Sequence, residues 1–187
     1  MNKKTLRMVF PVLLIVLFTL VFDTQAVQTT DDHLLDEFDM VCSREPTKAP
    51  DFTARDLQGR VHRLSDQQEK IVVLNFWASW CLPCIRELPR FQRLFEMTTD
   101  DEVEILAVNV RDRISRVEKL LKKRKYGFNI IMDHDGAIYR SFGVTNFPTT
   151  ILIDKEGRIV CRILGERDWD NKLFVDYLTN LSRQGGE

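Results

Sequence analysis

An α/β sandwich built on a mixed sheet is the fold class that the sequence predicts. Three observations carry it. Ile71–Phe76 (IVVLNF) and Val103–Val110 (VEILAVNV) are short apolar, β-branched runs, the mark of strands buried on both faces. Each is followed by a segment of helical periodicity. Later, Thr149–Asp154 and Arg158–Leu164 are joined by Lys155-Glu156-Gly157, a turn of hairpin length, and a last helical segment closes the chain. Strands that first alternate with helices and then pair as a hairpin give a mixed sheet packed between helices.

The elements follow in order. Lys3, Lys4 and Arg7 make a basic start, and Met8–Phe22 is an uncharged run of 15 residues. Thr24-Gln25-Ala26 approximates a cleavage site, so residues 1–26 read as a secretory signal peptide or as an uncleaved membrane anchor. The run is short for a bilayer span, where about 20 residues are usual. Either reading places the remainder outside the cytoplasm, in a periplasm or on the outer membrane face, because the basic flank stays inside. Contact with the membrane is expected only if the segment stays uncleaved.

Residues 27–47 are polar and acidic and read as a linker or arm; Leu34, Leu35 and Phe38 could make a short amphipathic turn. A domain is expected over 48–183, with a tail at 184–187. Asp51–Leu64 resembles a hairpin that turns near Gly59. Cys81 to about Met97 is a helix, because Cys84, Leu88, Phe91 and Phe95 form one apolar stripe. Pro89 inside it should kink it. Ile114–Lys125 is a helix with Val117, Leu120 and Leu121 on one face, and Phe128–Met132 is a short strand. Gly136–Phe142 is a short helix closed by Gly143. Trp169–Ser182 is the closing helix, with Phe174, Tyr177 and Leu178 facing inward.

Composition narrows the function. With 187 residues, 44% hydrophobic content and a net charge of −1, nothing argues for a nucleic acid partner. The basic run Lys122–Lys125 reads as a solvated helix end, the sharper alternative being a docking patch for an acidic redox partner. Four cysteines are too few for a disulfide-built scaffold, and a chain of this length can bury a core without staples. Cys161 alternates with Ile159 and Ile163, which predicts a buried, inert thiol. Cys42 lies in the arm, and no Cys42–Cys161 bond is expected, since a mobile arm and a strand do not keep their Cα atoms close.

Cys81 and Cys84 carry the chemistry. A strand that runs into a helix puts Cys81 at the helix N-terminus, where free N–H groups and the helix dipole stabilise a thiolate. Cys84 lies one turn on and can reach its sulfur, and Pro83 suits the first helical turn. The pair can pass two electrons through a mixed disulfide: Cys81 is the nucleophile and Cys84 the resolving thiol. Zinc would need two further ligands, and His33, His62 and His134 are scattered singly. A purely structural bridge over so short a loop would restrain the unfolded chain only a little. No cofactor and no metal are called for.

Trp77-Ala78-Ser79-Trp80-Cys81-Leu82-Pro83-Cys84 resembles the active site of the thioredoxin superfamily, and the run on to Glu87-Leu88-Pro89 is similar to exported TlpA/ResA-like thiol-disulfide oxidoreductases. APDFTARDLQGRVHRLSD looks like their opening hairpin, residues 117–144 like their central insertion, and FPTTILIDKEGRIV like their cis-proline segment. The resemblance implies a thioredoxin-like three-layer sandwich, a central mixed sheet with helices on both faces, an N-terminal hairpin and a central insertion. It implies a redox-active Cys81–Cys84 disulfide, a cis-proline at Pro148, Glu87 as a group that tunes the thiols, and Trp80 and Phe147 on the substrate face. Trp77 belongs to the core.

The implied partners are protein disulfides or dithiols, apocytochrome c among them, with a membrane electron donor. The pattern departs at Asn75, where cytoplasmic thioredoxins carry a buried aspartate, so that proton-transfer role does not carry over. Leu82 stands where a glycine is common, and Phe147 is bulky for a docking position; potential and partner choice therefore stay open. Oxidase or isomerase action on the same fold is the first alternative. A peroxidase lacks its threonine here, since Ala78 stands three residues before Cys81. A copper chaperone would need one more residue between the cysteines.

Overall fold

The strand that the sequence marks most strongly is the one the sheet is built around. In a computed structural model, which describes residues 35–98 and 102–184, the elements are β1 (Met40–Lys48), β2 (Thr53–Arg55), β3 (Val61–Arg63), a 3-10 turn at Leu64–Gln67, β4 (Ile71–Trp77), α1 (Leu82–Met97), β5 (Val103–Val110), α2 (Ile114–Leu121), β6 (Asn129–Asp133), α3 (Ala137–Ser141), β7 (Thr149–Ile153), β8 (Arg158–Leu164) and α4 (Lys172–Gln184). The leader at 1–26, His33 and the end of the tail lie outside the described residues. No helix among the described residues is long and apolar enough to cross a membrane.

The main sheet has the order β1-β8-β7-β4-β5-β6. β4 runs parallel to β5, and β5 parallel to β6; the pairs β4–β7, β7–β8 and β1–β8 are antiparallel. The sheet is mixed, as expected. All seven residues of β4 are buried, which requires cover on both faces. Its even-numbered side chains, Val72, Leu74 and Phe76, join a core with Phe52 of the opening hairpin and Ile138 and Phe142 at α3. On the other face, Asn75 reaches Glu87 of α1, and Glu87 meets Trp169, which packs on Phe174 of α4. Helices therefore cover both faces.

The opening hairpin β2–β3 docks beside β6 through a bridge between Asp56 and Ile131. Asp56 organises its turn by accepting bonds from the backbone of Gln58 and Arg60 and from the side chains of Arg60 and His62. Burial works against its charge, but the bonds from His62 and Arg60 win and hold it below the ordinary carboxylate range.

Three expectations are corrected. Residues 40–47, read as linker, form most of an edge strand instead: Met40, Val41 and Cys42 pair with Ile163, Arg162 and Cys161, and pairing resumes at Thr47 after an irregular stretch that contains Pro46. Proline is tolerated at such an edge. Phe38, also placed in the arm, is buried and stacks on Phe174 at 4.9 Å. Second, β8 carries a bulge: Leu152 faces Cys161 but Ile153 faces Ile159, so Val160 is the extra residue. Ile159 consequently packs on the core with Ile153, while Cys161 turns to the other face, toward Tyr177 of α4.

Third, Cys161 is not a free thiol. It is bonded to Cys42 in a disulfide, with Cα atoms 4.0 Å apart. The expectation failed because it treated Cys42 as part of a loose arm; strand pairing sets it directly opposite Cys161. Helix limits shift as well. α2 stops at Leu121, leaving Lys122–Lys125 exposed after its end, and α4 starts at Lys172, leaving Trp169 in the preceding loop.

Candidate active site

β4 is the rail that delivers the site. Its last residue, Trp77, is fully buried and donates from Nε1 to the Ala107 carbonyl of β5 at 3.4 Å, which anchors the strand end in the core. The chain then leaves the sheet through Ala78, Ser79 and Trp80. Asp112, in the loop after β5, pins this turn: its carboxylate accepts from the Ser79 N–H at 2.6 Å and from the Ser79 hydroxyl at 2.7 Å. Asn109 donates to the same carboxylate at 3.0 Å. Asp112 was not legible in the sequence, because its partner is 33 residues away.

Cys81 caps α1, with Leu82 and Pro83 at the first two helical positions. It forms a disulfide with Cys84 across a Cα separation of 5.3 Å. Cys81 is 6% exposed and Cys84 is fully buried, so an attacking thiol can approach only the first sulfur. The Cys84 N–H donates to the Cys81 sulfur at 3.3 Å. In the reduced state the same N–H, with the dipole of a helix of 16 residues behind it, stabilises a thiolate on Cys81.

The approach face is aromatic. Trp80 is 62% exposed and meets Phe147 edge-on at 5.7 Å, and Phe147 in turn packs against Tyr139 at 5.9 Å. Leu82 adds a second exposed apolar side chain. The Phe147–Pro148 peptide bond is cis.

Beneath the disulfide lies a polar cluster. Glu87, one turn beyond Cys84 on the same helix face, has no solvent exposure. Its Oε1 accepts from Asn75 Nδ2 and its Oε2 from Trp169 Nε1, both at 2.9 Å. Asn75 also donates to the Thr150 hydroxyl at 3.1 Å. Burial dominates these bonds and pushes the Glu87 carboxyl up from an ordinary 4.5 to about 7. The strand position that lacks an acid thus has one beside it, supplied by the helix. Glu87 is no solvated helix carboxylate. Trp169, which the sequence offered only as the start of a helix, is the partner that reasoning from the sequence missed.

His62 and His134 are elsewhere. His62 bonds Asp56 in the opening hairpin, and His134 Nδ1 lies 3.3 Å from the Asp112 carbonyl. Neither residue bonds to Cys81 or Cys84.

A strand, a capped helix with a sulfur pair on its first turn, and a cis-proline segment whose Phe147 meets Trp80 beside that pair define a thiol-disulfide oxidoreductase of thioredoxin-like fold. The chain belongs to the AhpC/TSA family, whose profile matches residues 46–162. It is 44% identical over 117 residues to the thiol-disulfide oxidoreductase ResA of Geobacillus thermodenitrificans (strain NG80-2), an overlap of 63% of this chain and 67% of that one. With ResA of Bacillus subtilis (strain 168) it shares 34% over 141 residues, 75% of this chain and 77% of the relative. Among solved structures it is similar to the pneumococcal exposed lipoprotein thioredoxin of Streptococcus pneumoniae strain TIGR4, with a TM-score of 0.62, 30% identity and coverage of 71% and 100% of the two chains. StoA of Bacillus subtilis superposes with a TM-score of 0.61 at 25% identity, covering 70% and 99%. The kinship expected from the cysteine motif is therefore the one that residues 46–162 display.

Proposed function

We propose that this oxidoreductase works outside the cytoplasm as a reductant of disulfides in envelope proteins, apocytochrome c cysteines among its candidate substrates, and is recharged by a membrane electron donor. The observation that carries the reading is the Cys81–Cys84 disulfide set over a buried carboxylate, Glu87. The leader-like residues 1–26 and the likeness to an exposed lipoprotein thioredoxin support the location.

The reaction runs in two exchanges. The Cys81 thiolate attacks one sulfur of the partner's disulfide, a mixed disulfide forms, and the partner's other sulfur leaves as a thiolate. Cys84 then gives its proton to Glu87 and attacks the Cys81 sulfur. The bond between Cys81 and the partner breaks, and the partner's second sulfur leaves as a thiolate. Two electrons have passed to the partner and Cys81–Cys84 is left oxidised. Trp80, Phe147 and the Pro148 turn form the face on which the partner lies. Glu87 is suited to its part because a carboxyl near 7 can both accept and release a proton at neutral pH.

Two measurements test this. The equilibrium potential of Cys81–Cys84 against a glutathione or dithiothreitol series should fall near or below about −220 mV. A value near about −120 mV would place the protein among thiol oxidants and reverse the proposed direction. In the second, Cys84→Ser should accumulate the mixed disulfide with a model substrate, and Cys81→Ser should form none. Trapping by Cys81→Ser would exchange the two roles.

A further inference from the structure

Trp169 sits in the loop between β8 and α4, with no solvent exposure. In this loop Glu166, Asp168 and Asp170 alternate with Arg167 and Trp169. On α1, Arg86, Arg90 and Arg93 recur at i, i+4 and i+7 and so line one helix face. The two series interlock. Arg86 reaches Glu166 at 2.6 Å; Arg90 reaches Glu166 at 3.0 Å and Asp168 at 2.9 Å; Arg93 reaches Asp170 at 2.6 Å.

Arg167 adds a tie from the other side, donating to the Phe38 carbonyl at 2.9 Å. Each exposed pair is weak alone, but together they fix the loop along α1. The alternation then turns Trp169 inward. It stacks on Phe91 at 4.8 Å with ring planes 19° apart, and it lies 5.2 Å from Phe174 and 5.8 Å from Phe38. That packing leaves one direction for its N–H, toward Glu87 Oε2.

We propose that Trp169, fastened by this arginine–carboxylate ladder, is a positioning residue that orients the Glu87 carboxylate and stabilises its charged form. The inference rests on the proposed part of Glu87 in thiol exchange. The groups that act on Glu87 besides the indole are the Asn75 amide of β4, the Arg167 backbone N–H, and Glu166, whose charge is shared with Arg86 and Arg90; Cys84 lies one turn back on the same helix. Burial and Glu166 disfavour a charged Glu87; the indole, the amide and the Arg167 N–H favour it. The indole is the contribution that can be removed without opening the helix or the strand. Trp169 touches no reacting atom and is not a catalytic residue.

The test follows the Glu87 side-chain carboxyl by carbon-13 NMR as a function of pH, in the oxidised full chain, with Glu87→Gln to assign the signal. Trp169→Phe keeps an aromatic ring and deletes the N–H. An isosteric benzothienylalanine at position 169 exchanges the N–H for sulfur and guards against a packing defect. In both, the midpoint should rise by about one pH unit. At neutral pH, resolution of the mixed disulfide should slow by several-fold, with recovery on raising the pH. An unchanged or lowered midpoint in the benzothienylalanine protein overturns the proposal. The proposed part of Glu87 fails separately: if Glu87→Gln resolved the mixed disulfide at the wild-type rate, that role would fall, while a raised midpoint in the position-169 variants would leave the positioning of Glu87 standing.

Discussion

Glu87, proposed above to take a proton from Cys84, also bears on the stability of the domain. In the unfolded chain it titrates near its ordinary 4.5, and in the fold near 7. A raised acid binds its proton more tightly in the native state. Its stabilising contribution is therefore complete below about pH 4.5 and is lost as pH rises through about 7, a change on the order of 3 kcal/mol. Glu87→Gln removes this slope. Denaturant titrations should show the variant more stable than the wild type at pH 8, by about 2 kcal/mol, and the gap should close below pH 5. A gap that stayed constant across this range would mean that Glu87 keeps an ordinary titration in the fold. Glu87 was only half legible. The apolar stripe read from the sequence ran through Cys84, Leu88, Phe91 and Phe95, and only the family resemblance singled out Glu87; its partners Asn75 and Trp169 lie 12 and 82 residues away and meet it only through the sheet and the closing loop.

The element that sequence reasoning lost is β1. MVCSREPTK has neither an apolar alternation nor a β-branched run, and only Met40 of its nine residues is buried. An edge strand of this kind is held by backbone pairing and by one covalent link rather than by side-chain burial. Cys42–Cys161 closes a loop with a sequence separation of 119, and in the chain-entropy view such a link stabilises a fold by about 5 kcal/mol. A Cys42→Ser, Cys161→Ser double variant should lose a large part of that in urea unfolding, and hydrogen exchange should speed up at Met40–Lys48 while β4 stays protected. Equal protection of β1 in both proteins would show that strand pairing alone holds it. The inner strands were legible for the opposite reason. IVVLNF and VEILAVNV are buried along nearly their whole length, and such runs admit few other placements. The bulge at Val160 was invisible, because alternation assumes a constant period of two.

At the scale of the whole molecule, two disulfides serve one domain under different rules. Cys81–Cys84 stands at a helix N-terminus beside an exposed aromatic face, where the leaving thiolate is stabilised. Cys42–Cys161 lies within paired strands, with Cys161 only 2% exposed although Cys42 is exposed on the edge strand. Limited dithiothreitol followed by alkylation and peptide mass mapping should find Cys81 and Cys84 modified first, with Cys42 and Cys161 appearing only near unfolding conditions. Simultaneous modification of all four would mean that the edge bond is as reducible as Cys81–Cys84. The sandwich was readable from the order of strands and helices, and the cis-proline from the family resemblance of a segment far along the chain; the second bond was not, since it depends on where a polar segment docks.

The edge disulfide also constrains how the molecule comes into being. Closing Cys42 onto Cys161 withdraws two electrons from the nascent chain, so some oxidant must act on this protein before it can serve as an electron carrier itself. A protein proposed to deliver reducing equivalents is thus first a client of oxidative folding. Its supply of electrons must then be matched to the small bond at Cys81–Cys84 and spare the larger one, because a donor that opened both would unfasten the first strand each time it recharged the site.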